Sequence, residues 1–204
     1  MENPNQNVAS FESSIKSHFA GVFTASDWRL FKKLAELNFR DAAVLLKKDM
    51  SIENSLKLLA RNSRKRLLIG VGVELLLKAV YLKKGYVINK PKSGSPKFPF
   101  LAKDAAGVQL AEDQTFMLDV LIKNLPAVVL LRDSDLTLKG LKIAKVFRNK
   151  EGHGVTQEHK FDPLNYTDIA TSLAQLYQDA FGEKLVARFS MAPNELPVWK
   201  ISKT

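Results

Sequence analysis

The amino-acid sequence predicts an all-α fold, a bundle of five or six helices with a short extended C-terminal tail. Apolar residues recur at intervals of three and four over most of the 204 residues, the period of one buried helix face. Cap residues, glycines and prolines punctuate those runs where helices would begin and end. Only after residue 183 do β-branched and aromatic residues set an extended pattern.

Residues 1–10 are polar and amide-rich and are expected to be disordered, whereas Phe11, Ile15, His18 and Phe19 are spaced for a short helix over 10–20. Ser26–Asp27 reads as an N-cap. Behind it Trp28, Phe31, Leu34, Ala35, Ala42 and Leu45 form the apolar stripe of a helix over 27–48. Ser51 caps a long helix over 52–84, with Glu53 near the positive end of its dipole. The second half of that helix is apolar nearly all round, which suits the centre of a bundle, and Gly85 ends it.

Residues 85–112 hold Pro91, Gly94, Pro96 and Pro99 and read as a loop. A helix resumes near Asp113, with Phe116, Met117, Val120 and Leu121 on one face, until Pro126 breaks it. Another runs over about 136–151, with Leu138, Leu141, Ala144 and Phe147 inward. Asp162–Pro163 combines a cap with a proline at the first helical position. The amphipathic helix that follows ends at Gly182. Residues 11–182 are thus expected to form the bundle and 183–204 the tail, with Val186–Phe189 and Val198–Ile201 suited to a small hairpin.

The composition excludes several chemistries. The chain has no cysteine, so thiolate nucleophiles, thiol redox and cysteine metal sites are out. Its three histidines, His18, His153 and His159, leave little room for a histidine-rich metal centre. Gly70 and Gly72 lack the lysine and further glycine of a phosphate-binding loop, and their expected role is close helix packing. There is no nucleophile elbow and no zinc-binding His-Glu-x-x-His. The N-terminus has no apolar signal core, and the most apolar stretch, Leu67–Leu82, contains Glu74 and Lys78 and is shorter than the ~20 residues of a membrane span. A cytoplasmic protein without a membrane span is expected.

The net charge is +10. It is concentrated between Lys57 and Lys103, where twelve Lys and Arg face one acid, Glu74, a balance of +11 that leaves −1 for the remainder. Arg61, Arg64, Lys65 and Arg66 precede the apolar stretch, and Lys83 and Lys84 follow it, ahead of the lysines of the loop. A basic segment in a near-neutral body suits a polyanion, with RNA as the expected partner and these six residues as its phosphate contacts. A solvated charged face is the structural alternative.

One histidine stands in a distinctive setting, Phe147-Arg148-Asn149-Lys150-Glu151-Gly152-His153-Gly154. Five steps at ~100° would set Arg148 and His153 about 140° apart on a regular helix, so their convergence calls for a helix loosened by Gly152 and Gly154. This arrangement resembles the HEPN family (higher eukaryotes and prokaryotes nucleotide-binding domains). The family motif is an arginine, usually followed by Asn, Asp or His, then a histidine after four to six intervening residues. Glu74-Leu75-Leu76-Leu77-Lys78 is similar to the ExxxK pair that a number of HEPN proteins carry on an earlier core helix. The segment around it looks like bacterial HEPN proteins of the toxin and abortive-infection kind. The likeness spans residues 25–182 apart from the loop at 85–112, and it leaves out the tail after 183.

The resemblance implies a metal-independent endoribonuclease without a cofactor, a toxin or phage-defence effector that works as a homodimer and is blocked by an antitoxin protein. Arg148, Asn149 and His153 would be catalytic and Glu74 and Lys78 supporting, although an ordinary i,i+4 ion pair is an equal reading of those two. Histidine suits proton transfer near neutral pH, and arginine suits phosphorane charge. A non-catalytic helical module that binds nucleic acid or nucleotide is the alternative, in which Gly152 misplaces His153; an adaptor for anionic membrane surfaces is a third. Cleavage of RNA should survive EDTA, because neither motif offers a carboxylate cluster for Mg²⁺; complete loss under chelation with recovery on adding Mg²⁺ would sink this chemistry.

Overall fold

A computed structural model describes residues 13, 28–44, 55–153, 164–189 and 198–203. The expected disorder at 1–10, the helix at 10–20 and the caps at Ser26–Asp27, Ser51 and Asp162–Pro163 lie outside the described residues, as do His18 and His159.

The helices follow the apolar periodicity. Helix α1, Trp28–Val44, buries Phe31, Ala35, Phe39 and Ala42, one stripe along its length. Helix α2, Ser55–Lys83, is the long central element, and Ile69, Val73, Leu76, Leu77, Val80 and Tyr81 on several of its faces are buried. It ends where Gly85 takes φ +81°, a left-handed backbone that favours glycine. Helix α3, Leu118–Asn124, is short and held by the Tyr81 hydroxyl, which donates to the Leu121 carbonyl at 2.7 Å. Burial pushes that hydroxyl's pKa up. Helix α4 spans Ser134–His153 and helix α5 Leu164–Phe181, and they pack side by side. The Asp133 carboxylate accepts from the Leu136 amide at 2.9 Å and so caps α4.

Two elements correct the all-α expectation, because the fold carries two small antiparallel sheets among its helices. The first lies inside the expected loop. Strand β1, Asn89–Pro91, pairs with β2, Leu110–Thr115, with an irregularity between Asn89 and Pro91. The helix expected from Asp113 therefore begins later, at Leu118. The residues of β2, Leu-Ala-Glu-Asp-Gln-Thr, have poor strand propensity. Tertiary pairing decides their conformation, aided by Asn89, whose buried side-chain amide donates to the Ala111 carbonyl at 2.9 Å.

The second sheet is the C-terminal hairpin, and it is part of the core rather than a tail. Strands β3, Glu183–Arg188, and β4, Val198–Lys203, pair in continuous register from Glu183 opposite Lys203 to Arg188 opposite Val198. Trp199 stacks on Phe39 of α1 at 4.7 Å and meets Tyr177 of α5 edge-on at 6.1 Å. Lys32 of α1 ties the same end by ion pairs to Glu36 at 2.8 Å and Glu183 at 2.9 Å. Burial works against the charge of Lys32, but those two carboxylates outweigh it and raise its pKa.

Close helix contacts fall at glycines, as expected for Gly70 and Gly72. A Cβ on Gly72 would lie 2.7 Å from the Phe39 ring, and one on Gly70 would lie 2.6 Å from Cβ and 2.7 Å from the backbone nitrogen of Arg148. Among the described residues no helix is long and apolar enough to cross a membrane. Gly70→Ala should destabilise the fold by about 1–3 kcal/mol, because the obstructing atoms belong to the α4 backbone and cannot swing aside. Alanine's helix propensity would offset about 1 kcal/mol of that. Thermal unfolding should show a midpoint lower by several degrees; a midpoint at or above wild type would contradict the close contact.

Candidate functional site

Along α2, Ser63, Arg66, Gly70, Glu74 and Lys78 recur at intervals of three and four and share one face. That face meets the C-terminal half of α4. Glu74 accepts two cations: Lys78 lies one turn along at 2.9 Å, and Arg148 of α4 brings Nε to 2.5 Å. The Lys78 side chain is buried, so the carboxylate offsets the cost of removing its charge from water. Arg148 stays 41% exposed, with Nη1 3.5 Å from the Asn149 Oδ1. The two motifs, far apart in sequence, meet here.

Arg148 and Asn149 open onto a cleft of about 560 Å³. Glu74 contributes to its wall from α2 and Lys145 from α4; Lys90 of β1 and the run Gln114–Asp119 complete it. The first sheet is therefore what gives the α2–α4 seam an opposite wall. Lys90, Gln114, Phe116, Met117, Asp119 and Lys145 were not among the expected site residues; Phe116 and Met117 were expected on a helix face. Lys90 and Phe116 were visible as residue types, but nothing local signalled that the segment folds back as a hairpin beside α4.

His153 is the last residue of α4, which stays helical to that point, so the expected loosening before His153 does not occur. On a regular helix its position is about 140° around the axis from Arg148. A single chain thus sets these two motif positions on different faces of one helix.

The basic residues expected to hold RNA do not form one surface. Arg66 is 1% exposed, and its Nε pairs with Glu151 of α4 at 2.6 Å, while Ser63 also donates to that carboxylate. Lys65 is equally buried, with Nζ 4.2 Å from the centre of the Tyr166 ring. Lys83 donates to the Ala180 carbonyl at 2.9 Å and sits over the Trp28 and Phe181 rings. Burial, with Lys84 beside it, lowers its pKa. Arg64 and Lys84 are exposed and Arg61 half-buried, but Arg64 and Lys84 stand about 30 Å apart along α2 at 1.5 Å per residue. Lysine stems carry enough apolar surface to pack inside, which a count of charges does not see. On α4, Lys142 and Lys150 are exposed before and after Lys145 along the helix, but of the three only Lys145 lines the cleft.

Among the described residues no group of three His, Asp or Glu is arranged to hold a metal ion. No family model matches the chain, and neither a curated protein nor a solved structure matches it.

The buried Arg66–Glu151 pair separates a structural role from an RNA contact. Arg66→Met should cost about 3–5 kcal/mol by stranding the carboxylate, and Arg66→Met with Glu151→Leu should recover much of that loss. Urea denaturation of the two single variants and the double variant measures the coupling. Wild-type stability in Arg66→Met together with weakened RNA binding would return Arg66 to the nucleic-acid surface.

Proposed function

We propose that the protein is a metal-independent endoribonuclease of the HEPN type, acting as a homodimer on RNA in the cytoplasm, in the role of a toxin or phage-defence effector held in check by an antitoxin protein. The observation that carries the reading is the junction of Glu74 and Lys78 on α2 with Arg148 and Asn149 on α4 at the edge of an open cleft. Two motifs that resemble one family by sequence are neighbours in space.

The chemistry follows from the residue types. The ribose 2′-oxygen attacks the adjacent phosphorus, His153 takes the 2′ proton, the bond from phosphorus to the 5′-oxygen breaks, and that oxygen leaves with a proton. The products are a 2′,3′-cyclic phosphate and a free 5′-hydroxyl. Arg148 stabilises the extra charge on the phosphorane oxygens, and Glu74 fixes the guanidinium by its Nε, which leaves Nη2, and Nη1 beyond its long contact with Asn149, for phosphate. Asn149 orients the phosphate. One Arg–His pair is sparse for acid and base together, and its two members lie on different faces of α4 in one chain, so this chemistry needs a two-fold axis that brings a second α4 alongside to complete the site. The outer face of α4 suits such a contact, with exposed Val146 between Lys142 and Lys150.

The position of His153 around the helix favours a second reading, a nucleic-acid- or nucleotide-binding module that does not cleave. The His153→Ala variant decides between them. It should lower cleavage by about 10²–10⁴-fold, the usual share of a general acid or base, while binding RNA as wild type does. Arg148→Ala should lose cleavage and some affinity, and light scattering should find a dimer at micromolar concentration. Undiminished cleavage by His153→Ala would overturn the nuclease reading in favour of the binding module.

A further inference from the structure

The cleft beside Arg148 holds an acid that the proposed chemistry does not use. Asp119 stands in the first turn of α3 and is exposed. Among the described residues its carboxylate takes part in no ion pair or hydrogen bond, whereas Glu74 across the same cleft is held by two cations. A bare carboxylate repels phosphate, so it is misplaced in a site that binds only the RNA backbone. It is well placed for a neutral group that donates hydrogen bonds.

The neighbours of Asp119 suit a base. Met117 is 66% exposed, and it lines the cleft with Phe116. The Phe116 ring is anchored from behind, 4.1 Å from the Phe98 ring, which in turn lies 5.0 Å from that of Tyr81. A fixed aromatic ring beside a polarisable thioether is a platform on which a splayed base can stack. Lys90 and Lys145, on opposite walls, are cations without an ion pair among the described residues and suit a phosphate. The volume is ample for one nucleotide.

We propose that this cleft is a guanine subsite that selects the nucleotide next to the cleaved bond in single-stranded RNA. A carboxylate offers two acceptors and no donor. On the pairing edges of the four bases only guanine presents two adjacent donors, N1–H and N2–H₂. Adenine, cytosine and uracil each put an acceptor beside their donor and would meet Asp119 with repulsion. The side-chain amide of Gln114 supplies a donor for guanine O6. The inference rests on the ribonuclease reading only for the place of this nucleotide in a longer chain; base recognition by the cleft stands without it.

The test is a ¹H–¹⁵N NMR titration of the full chain with 5′-GMP, 5′-AMP, 5′-CMP, 5′-UMP and inorganic phosphate, none of which the enzyme can cleave. GMP should bind about tenfold tighter than the other nucleotides, in line with one good bidentate base contact, and should shift the amides of Lys90, Gln114–Asp119 and Lys145–Asn149. Asp119→Asn should shrink the advantage of GMP over AMP below about twofold. Replacing Lys90 and Lys145 together by alanine should weaken all five ligands. Equal binding of the four nucleotides, an unchanged ranking in Asp119→Asn, shifts that map elsewhere, or no binding at all would each overturn the subsite. Cleavage of a mixed-sequence RNA is scored separately. Cleavage with no guanine preference removes the subsite and keeps the nuclease, while guanine-selective binding without cleavage does the reverse.

Discussion

The close approach of α2 to α4 at Gly70 is the constraint on which the rest of the molecule depends. With no side chain at Gly70, the backbone of α4 comes near enough that Arg148 lies against the central helix. The contact is locked on both sides along one face of α2, by Ser63 and Arg66 on Glu151 at the end nearer the helix start, and by Glu74 on Arg148 beyond the glycine. A register slip of one turn would break both sets of charges together. Gly72 lies two residues on, about 200° around the axis, and so receives Phe39 of α1 from the opposite side. The central helix is therefore gripped from two directions at nearly the same level, and the seam that carries Arg148 has little freedom to open.

The helices were legible in the sequence wherever a stripe of apolar residues ran for several turns. Phe31, Ala35 and Ala42, or Ile169, Leu173, Leu176 and Ala180, announce their elements because the buried face repeats. The first sheet was not legible, since β2 is built from residues that favour helix or turn and is held in place by partners distant along the chain. The C-terminal hairpin was legible as strands, but its place in the core was not. That depends on Trp199 finding Phe39 and Tyr177, a fact of packing rather than of pattern.

The charge pattern misled in an instructive way. The +11 segment between Lys57 and Lys103 suggested one continuous electrostatic footprint. Folding divides it: Arg66 is spent on Glu151, Lys65 and Lys83 lie against aromatic rings, Lys78 answers Glu74, and only part remains for solvent. Four of the motif residues, Glu74, Lys78, Arg148 and Asn149, come together, while His153 takes another face of α4. Arg148 and Asn149 share a helix end, and the i,i+4 spacing of Glu74 and Lys78 fixes them on one face. What the sequence could not supply was the facing wall, which needs the hairpin.

The two tryptophans of the chain give the fold an unplanned optical property. Trp28 packs against Phe181 at 5.7 Å with Lys83 above it, and Trp199 lies between Phe39, Tyr177 and Phe189. Both report on the packing of α1, α5 and the C-terminal hairpin, and neither lines the cleft. Intrinsic fluorescence is thus a selective gauge of whether the hairpin is docked. A ligand in the cleft that altered the emission without touching either ring would be acting across α2, from the face that holds Arg148 to the face that receives Phe39.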